Sequence, residues 1–245
     1  MDQKQFCEEH KIYHYEIDGD GRINTSYSVN LSNMNLDIIP FKFGIVNGNF
    51  DISGNNLTDL EGCPDVVSGY FSAANNKLTS LKGCPSEIGN ELYLYQNNLT
   101  NLEHSPKKIN SSIYLRENKL TSLKGCARKI NGDFIIYNNK LLTSLKYGPQ
   151  YINGDYNAID CGIMTLDSVP NNLKSDWLSL YKNPVYLIVD SNKHDDLMTF
   201  RDCKVIRNGK IILNRLKLYL NIVGYLSEGK LGRILSDVEG VYEVV

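Results

Sequence analysis

Six cysteines, four histidines and a central group of tyrosines around one arginine are the side chains of this 245-residue chain whose types and spacing bear on chemistry. His10, His14, His104 and His194 are scattered. Only His10 and His14 share a segment, and their i, i+4 spacing falls where residues 12–17 alternate like a strand, which removes a common helical face. Asp18 and Asp20 flank a glycine turn, but the loop lacks the further acidic positions and closing Glu of a calcium loop. Cys63, Cys84 and Cys126 fall at one position of a repeated block and have no C-x-x-C spacing, so they read as a buried column of small side chains rather than zinc ligands. The sequence therefore offers no catalytic residue, no metal site and no cofactor site, and binding is the function class left.

Binding surfaces need elements to hold them, and here these come from repetition. The block Asn76-Lys77-Leu78-Thr79-Ser80-Leu81-Lys82-Gly83-Cys84-Pro85 returns as Asn118-Lys119-Leu120-Thr121-Ser122-Leu123-Lys124-Gly125-Cys126. Leu60, Leu81, Leu102, Leu123, Leu145 and Leu166 are spaced by 21, 21, 21, 22 and 21 residues. A second column is Asn55, Asn76, Asn97, Asn118 and Asn139, continued by Cys161 and Asn183. Between the two columns lie apolar pairs around one variable residue: Phe50 and Ile52, Phe71 and Ala73, Leu92 and Leu94, Ile113 and Leu115, Phe134 and Ile136, Tyr156 and Ala158, Leu178 and Leu180. Each triplet alternates with a strand's period. A fixed period of this length predicts a stack of short coils.

The unit resembles the leucine-rich repeat, L-x-L-x-x-N/C-x-L, over residues 29–183, and Cys161 in the asparagine column follows the same pattern. In that reading the paired apolar side chains point into the coil, and the buried Asn satisfies backbone groups that its turn leaves open. Twenty-one residues leave little room for an outer helix, so extended or 3₁₀ segments are expected around Gly-Cys-Pro, as in the short bacterial class. The units N-x-L-T-S-L-x-G-C-P and G-x-F are similar to those of leucine-rich repeat proteins of tailed bacteriophages, as are Pro40-Phe41-Lys42-Phe43-Gly44 and Ile211-Ile212-Leu213-Asn214-Arg215-Leu216. That resemblance implies a viral origin and a solenoid with a curved parallel sheet, and it implies little about activity. Short bacterial repeats also occur in effectors with a ubiquitin-ligase domain, but Arg201-Asp202-Cys203-Lys204 lacks the Cys-x-Asp of those ligases and the segment after Pro184 is far too short for one.

The expected organisation is an N-terminal cap over 1–28, repeats over 29–183 and an α/β C-terminal cap over 184–245. A short helix at residues 6–10 and a β-hairpin turning at Asp18-Gly19-Asp20-Gly21 make the first cap. The second cap is expected to hold a strand-like run at 185–189 and one amphipathic helix over 211–223. Such ends cover the apolar faces that stacking leaves open. With 26 basic and 28 acidic residues, a formal net charge of −2 argues against a nucleic-acid partner. The first ten residues lack the apolar stretch of a signal peptide or membrane span, so a cytoplasmic location is expected, in a host cell if the chain is phage-encoded.

Side-chain alternation places two residues of each strand on the outer face. Down the stack these are Asp51 and Ser53, Ser72 and Ala74, Tyr93 and Tyr95, Tyr114 and Arg116, Ile135 and Tyr137, Asn157 and Ile159, Ser179 and Tyr181. Tyr93, Tyr114 and Ile135 should form one column beside Tyr95, Arg116 and Tyr137, with Gln96, Glu117 and Asn138 as a polar margin. Tyrosine and arginine concentrate binding energy at protein interfaces. Partner binding by Tyr93, Tyr95, Tyr114, Arg116 and Tyr137 with that margin is the expectation, the partner being a host or anti-phage defence protein. The alternative is sequestration of a nucleotide-like ligand by the tyrosines and Arg116.

Overall fold

A computed structural model describes residues 2–106, 109–173, 178–189 and 194–245. The chain winds as a parallel-strand β-solenoid. Its longer sheet has eight strands in the order of the coils: Val29–Asn30, Phe50–Asp51, Phe71–Ser72, Leu92–Tyr93, Ile113–Tyr114, Phe134–Ile135, Tyr156–Asn157 and Leu178–Ser179. The register is that of the repeat, with Phe50 opposite Phe71, Phe71 opposite Leu92, and Leu92 opposite Ile113. Leu60, Leu81, Leu102, Leu123, Leu145 and Leu166 are all buried, as are both apolar residues of every triplet. Each Leu, Ile and Phe among them contributes on the order of 1.5 to 3 kcal/mol by leaving water.

Of the extended or 3₁₀ outer segments expected, the structure has the extended form, and these strands pair into a second parallel sheet that the repeat pattern does not announce. It runs Ile23–Thr25, Phe43–Val46, Val66–Val67 and Glu87–Ile88, and it resumes with Lys129–Ile130 and Tyr151–Ile152 after a bridge between Ile109 and Ile130. Gly-Cys-Pro forms the bend between the two sheets. Gly83 and Gly125 have φ of +87° and +91°, and a Cβ at either would collide with the carbonyl of Leu60 or Leu102 in the preceding coil. Glycine is required there by both conformation and contact.

The asparagine column is an internal ladder. Asn118 Nδ2 donates to the carbonyls of Leu94 (2.9 Å) and Leu115 (3.0 Å), and its Oδ1 accepts the Leu99 N–H at 3.1 Å. Asn76, Asn97 and Asn139 repeat this arrangement one coil at a time. Cys161 keeps only part of it, its Sγ donating to the Ile136 carbonyl at 3.3 Å.

At the N-terminal end, α1 (Gln3–Glu9) is capped by Asp2, whose carboxylate accepts the Gln5 N–H at 2.8 Å. Tyr15–Ile17 pairs antiparallel with Ile23–Thr25, which forms the expected hairpin. Asp18 is bound to Arg22 at 2.9 Å, and Arg22 reaches on to Asp65 at 2.8 Å. Among the described residues no group of three His, Cys, Asp or Glu could hold a metal.

The C-terminal segment departs from expectation. The apolar run 185–189 is not a strand but helix α2 (Tyr186–Val189), because Pro184 suits a helix start and the Asn183 carbonyl accepts the Tyr186 N–H at 3.0 Å. Three further helices follow instead of one in all: α3 (His194–Asp202), α4 (Leu213–Ile222) and α5 (Glu228–Asp237). Ile211 is lost from the expected helix because Lys210–Ile211 pairs with Ile206–Arg207 and Glu243–Val244. Gly229 and Gly232, poor helix formers, hide α5 from sequence reading, and Ser227 starts it by accepting the Lys230 N–H at 3.1 Å. Tyr242 ties this segment to the solenoid, donating its hydroxyl to the Met164 carbonyl at 2.8 Å. The His194 side chain lies outside the described residues.

Candidate functional site

Strand pairing places Tyr93 opposite Tyr114 and Tyr114 opposite Ile135, so the column expected from spacing exists. The Tyr93 and Tyr114 rings stack at 4.9 Å between centroids with an 11° interplanar angle. Beside them the Arg116 guanidinium sits 4.0 Å above the Tyr95 ring and 5.9 Å from that of Tyr137. Arg116 also binds Glu117 at 2.6 Å, and Glu117 accepts from Gln96 Nε2 at 2.9 Å. Seven of the eight residues singled out are thus joined by rings or charge in one continuous patch, with Asn138 beside it in the next coil. All are half-buried except Gln96, which is exposed.

The polar margin has a conformation that the sequence reading missed. Gln96, Glu117 and Asn138 each precede a ladder asparagine and have φ of 56°, 56° and 59°. The same position holds Gly54, Asn75 and Asp160, all at positive φ, and this Gly/Asn/Asp column was the available signal. Asn138 is accordingly half-buried in a turn and not a free solvent-facing residue.

Tyr70 is a member of the patch that alternation also hides, because it precedes the triplet. Its ring meets Tyr93 edge to face at 5.8 Å and 83°. At this position other coils carry a short acceptor that takes the N–H of the equivalent residue one coil on. Ser28 Oγ accepts from Asn49 (2.9 Å), Asn49 Oδ1 from Tyr70 (3.0 Å), Ser112 Oγ from Asp133 (2.9 Å) and Asp133 Oδ1 from Asp155 (2.9 Å). Tyr70 and Glu91 interrupt this outer ladder, and bonds of this kind are missing for the N–H groups of Glu91 and Ser112. Burial and, after it, the Asp51 carboxylate push the Tyr70 hydroxyl above its ordinary pKa; burial and then Glu91 do the same to Tyr93.

Outside the aromatic patch the same face is small or polar except at Ile159 and Tyr181 in the last coils, and its size changes abruptly. Ser72 and Ala74 are buried although they point outward, overshadowed by Tyr70 and by the next coil's Tyr93 and Tyr95. The clefts lie elsewhere. One of about 790 Å³ is lined by Arg201, Lys204, Arg207 and Arg215 with Asp167 and Asp202. Arg201 is committed there, to Asp202 at 2.8 Å, to the Val169 carbonyl at 3.3 Å and to Asn171. Lys204, Arg207 and Arg215 have no ion pair among the described residues.

No protein-family model, no curated protein sequence and no solved structure matches the chain. Among the described residues no helix is long and apolar enough to cross a membrane. The face itself is the ground for a functional reading.

Proposed function

We propose that this chain is a short-type leucine-rich repeat protein that binds a partner protein through the outward face of its longer sheet and performs no chemistry of its own. The observation that carries this is the gathering of Tyr70, Tyr93, Tyr95, Tyr114, Arg116 and Tyr137 in one patch over the middle coils, where the last coil adds the single ring of Tyr181, packed against Tyr186. Rings that merely supported the sheet would serve the end coils equally, since cross-strand pairs contribute about 0.2 to 1 kcal/mol wherever they stand. The interruption of the outer ladder at Tyr70 and Glu91 supports the same reading, because hydrogen bonds are given up where the rings gather. The hairpin with α1 and the segment containing α2 to α5 act as caps in this scheme. The resemblance to bacteriophage proteins adds the host cytoplasm as the setting and a host or anti-phage defence protein as the partner.

Capture from host lysate tests it. The Tyr93→Ala/Tyr114→Ala/Tyr137→Ala variant, with a native circular dichroism spectrum, should lose the protein captured by wild type, each tyrosine accounting for about 2 kcal/mol. Ser53→Ala and Ser179→Ala should capture normally. Full-strength capture by the folded triple variant would move the site off this face.

The second reading, sequestration of a nucleotide-like ligand, is favoured by the cavity at Lys204, Arg207 and Arg215 rather than by the tyrosines, because Glu117 already neutralises Arg116. Calorimetry with ATP separates the two. Heat of binding lost in Arg207→Ala/Arg215→Ala and retained in the tyrosine variant would favour the ligand reading; no heat would remove it.

A further inference from the structure

We infer that the cleft at Lys204, Arg207 and Arg215 is a second binding site, separate from the tyrosine face, that takes the phosphate chain of a small ligand and recognises the charge of the chain rather than the group attached to it; this rests on the ligand reading of that cleft. The cleft, of about 790 Å³, opens where the segment after Pro184 meets the last coils. Asp167, next to the repeat residue Leu166, lines one part of it. The rest comes from the end of α3 with Arg201 and Asp202, the link at Lys204, the strand Ile206–Arg207 and the first turn of α4 at Arg215.

Arg201 holds the walls together and is not free for a ligand. Its guanidinium donates to the Val169 carbonyl at 3.3 Å and to Asn171, and it pairs with Asp202 at 2.8 Å. Tyr242 adds a second tie through the Met164 carbonyl at 2.8 Å. The two sides of the cleft are thus fixed before a ligand arrives, and a preformed site binds without the entropic cost of closing.

Once Arg201 and Asp202 offset each other, three cations remain against one carboxylate, that of Asp167. Lys204, Arg207 and Arg215 make no ion pair among the described residues. Their placement works against stability. Arg207 stands directly opposite Lys210 in the antiparallel pair, a like-charge arrangement that destabilises a sheet. Lys210 is relieved by Glu243 at 2.8 Å, whereas Arg207 has no such relief. Arg215 is half-buried, so its guanidinium gives up part of its hydration without gaining a counter-ion. Cations of three separate local structures that converge on one concavity, uncompensated, are what an anion site requires. A phosphate chain concentrates several negative charges over a short length, and guanidinium groups meet its oxygens two at a time. An extended acidic peptide turns alternate side chains to opposite faces and brings fewer charges into the same space.

Calorimetry on the full chain at physiological salt tests this with inorganic tripolyphosphate, ATP, adenosine and a peptide alternating aspartate with glycine. Tripolyphosphate should bind with a Kd within about threefold of that of ATP, and adenosine and the peptide should give no heat. Arg207→Ala/Arg215→Ala should weaken tripolyphosphate binding about tenfold or more. Lys217→Ala/Arg233→Ala removes the same charge from exposed positions outside the cleft and should change it less than about twofold. Asp167→Asn should tighten it about twofold or more, a gain that a damaged fold cannot produce. No heat from either tripolyphosphate or ATP would overturn the inference and the ligand reading together, leaving the tyrosine face untouched. Binding of ATP without binding of tripolyphosphate would overturn the inference alone. Equal weakening by Lys217→Ala/Arg233→Ala, no gain from Asp167→Asn, or an aspartate peptide bound as tightly as tripolyphosphate would each overturn it as well.

Discussion

Two hydrogen-bonded ladders run the length of the solenoid, and they are kept to different standards. The inner one, built from Asn55, Asn76, Asn97, Asn118, Asn139 and Asn183, admits only Cys161 as a substitute, and even that thiol still reaches the Ile136 carbonyl. The outer one, built from Ser28, Asn49, Ser112 and Asp133, stops at Tyr70 and Glu91 and starts again. A missing inner bond strands polar groups away from water, whereas a missing outer bond lies near solvent that replaces part of it. The difference teaches that the inside is constrained in every coil by burial, while the outside is free to vary where something other than stability is being served.

The sharpest way to break this comparison is to cut the inner ladder. Asn118→Ala removes two donated bonds and one accepted bond at once; it leaves the Leu99 N–H without its partner, while the carbonyls of Leu94 and Leu115 keep only the bonds donated by Asn97 (3.2 Å) and Asn139 (3.0 Å). Urea unfolding should place the cost at about 3 kcal/mol. Asp133→Ala in the outer ladder removes a single accepted bond, from Asp155, and should cost about 1 kcal/mol. Equal costs at the two sites would erase the distinction.

That the inner ladder was legible in the sequence and the outer one was not has a physical origin. Seven copies of one register make Leu60, Asn76 or Tyr93 readable by position alone, because a burial requirement repeats the same residue type. The outer position tolerates Ser, Asn, Asp, Glu and Tyr, so its column carries no single letter. The second sheet was hidden similarly, since strands of two residues such as Val66–Val67 and Glu87–Ile88 are too short to show a period. In the segment after Pro184 nothing repeats, and a run such as 185–189 is equally apolar as a strand or a buried helix. The aromatic patch was legible except for Tyr70, which stands outside the triplet that defined the face.

A middle-sized effect sharpens the contrast at the margin of the patch. Asn138 at φ 59° occupies a conformation that Asn and Gly visit readily and Ala does not. Asn138→Ala should therefore cost about 1 kcal/mol and Asn138→Gly less than about 0.5 kcal/mol, although both remove the same side chain. Equal losses in the two variants would assign the effect to side-chain contacts and remove backbone strain from the account of Gln96 and Glu117 as well.

The smallest effect is the most telling, because it should be a gain. Glu91 occupies an outer-ladder position with a side chain one methylene longer than Asp133, which at the equivalent site accepts the Asp155 N–H at 2.9 Å. Glu91→Asp should let the shortened carboxylate reach the Ser112 N–H and raise stability by about 0.5 to 1 kcal/mol. Glu91→Asn should gain a similar amount, since Asn49 performs the same task for Tyr70 at 3.0 Å. The pair then separates the two roles of the position. Both variants repair the ladder, but only Glu91→Asn removes the charge, so a difference between them in partner capture would report the charge alone. If both variants are destabilised in urea, the outer ladder does not extend to this coil and the interruption at Glu91 carries no functional meaning. If both are stabilised and both still capture the partner at full strength, the ladder stands and the carboxylate of Glu91 plays no part in binding.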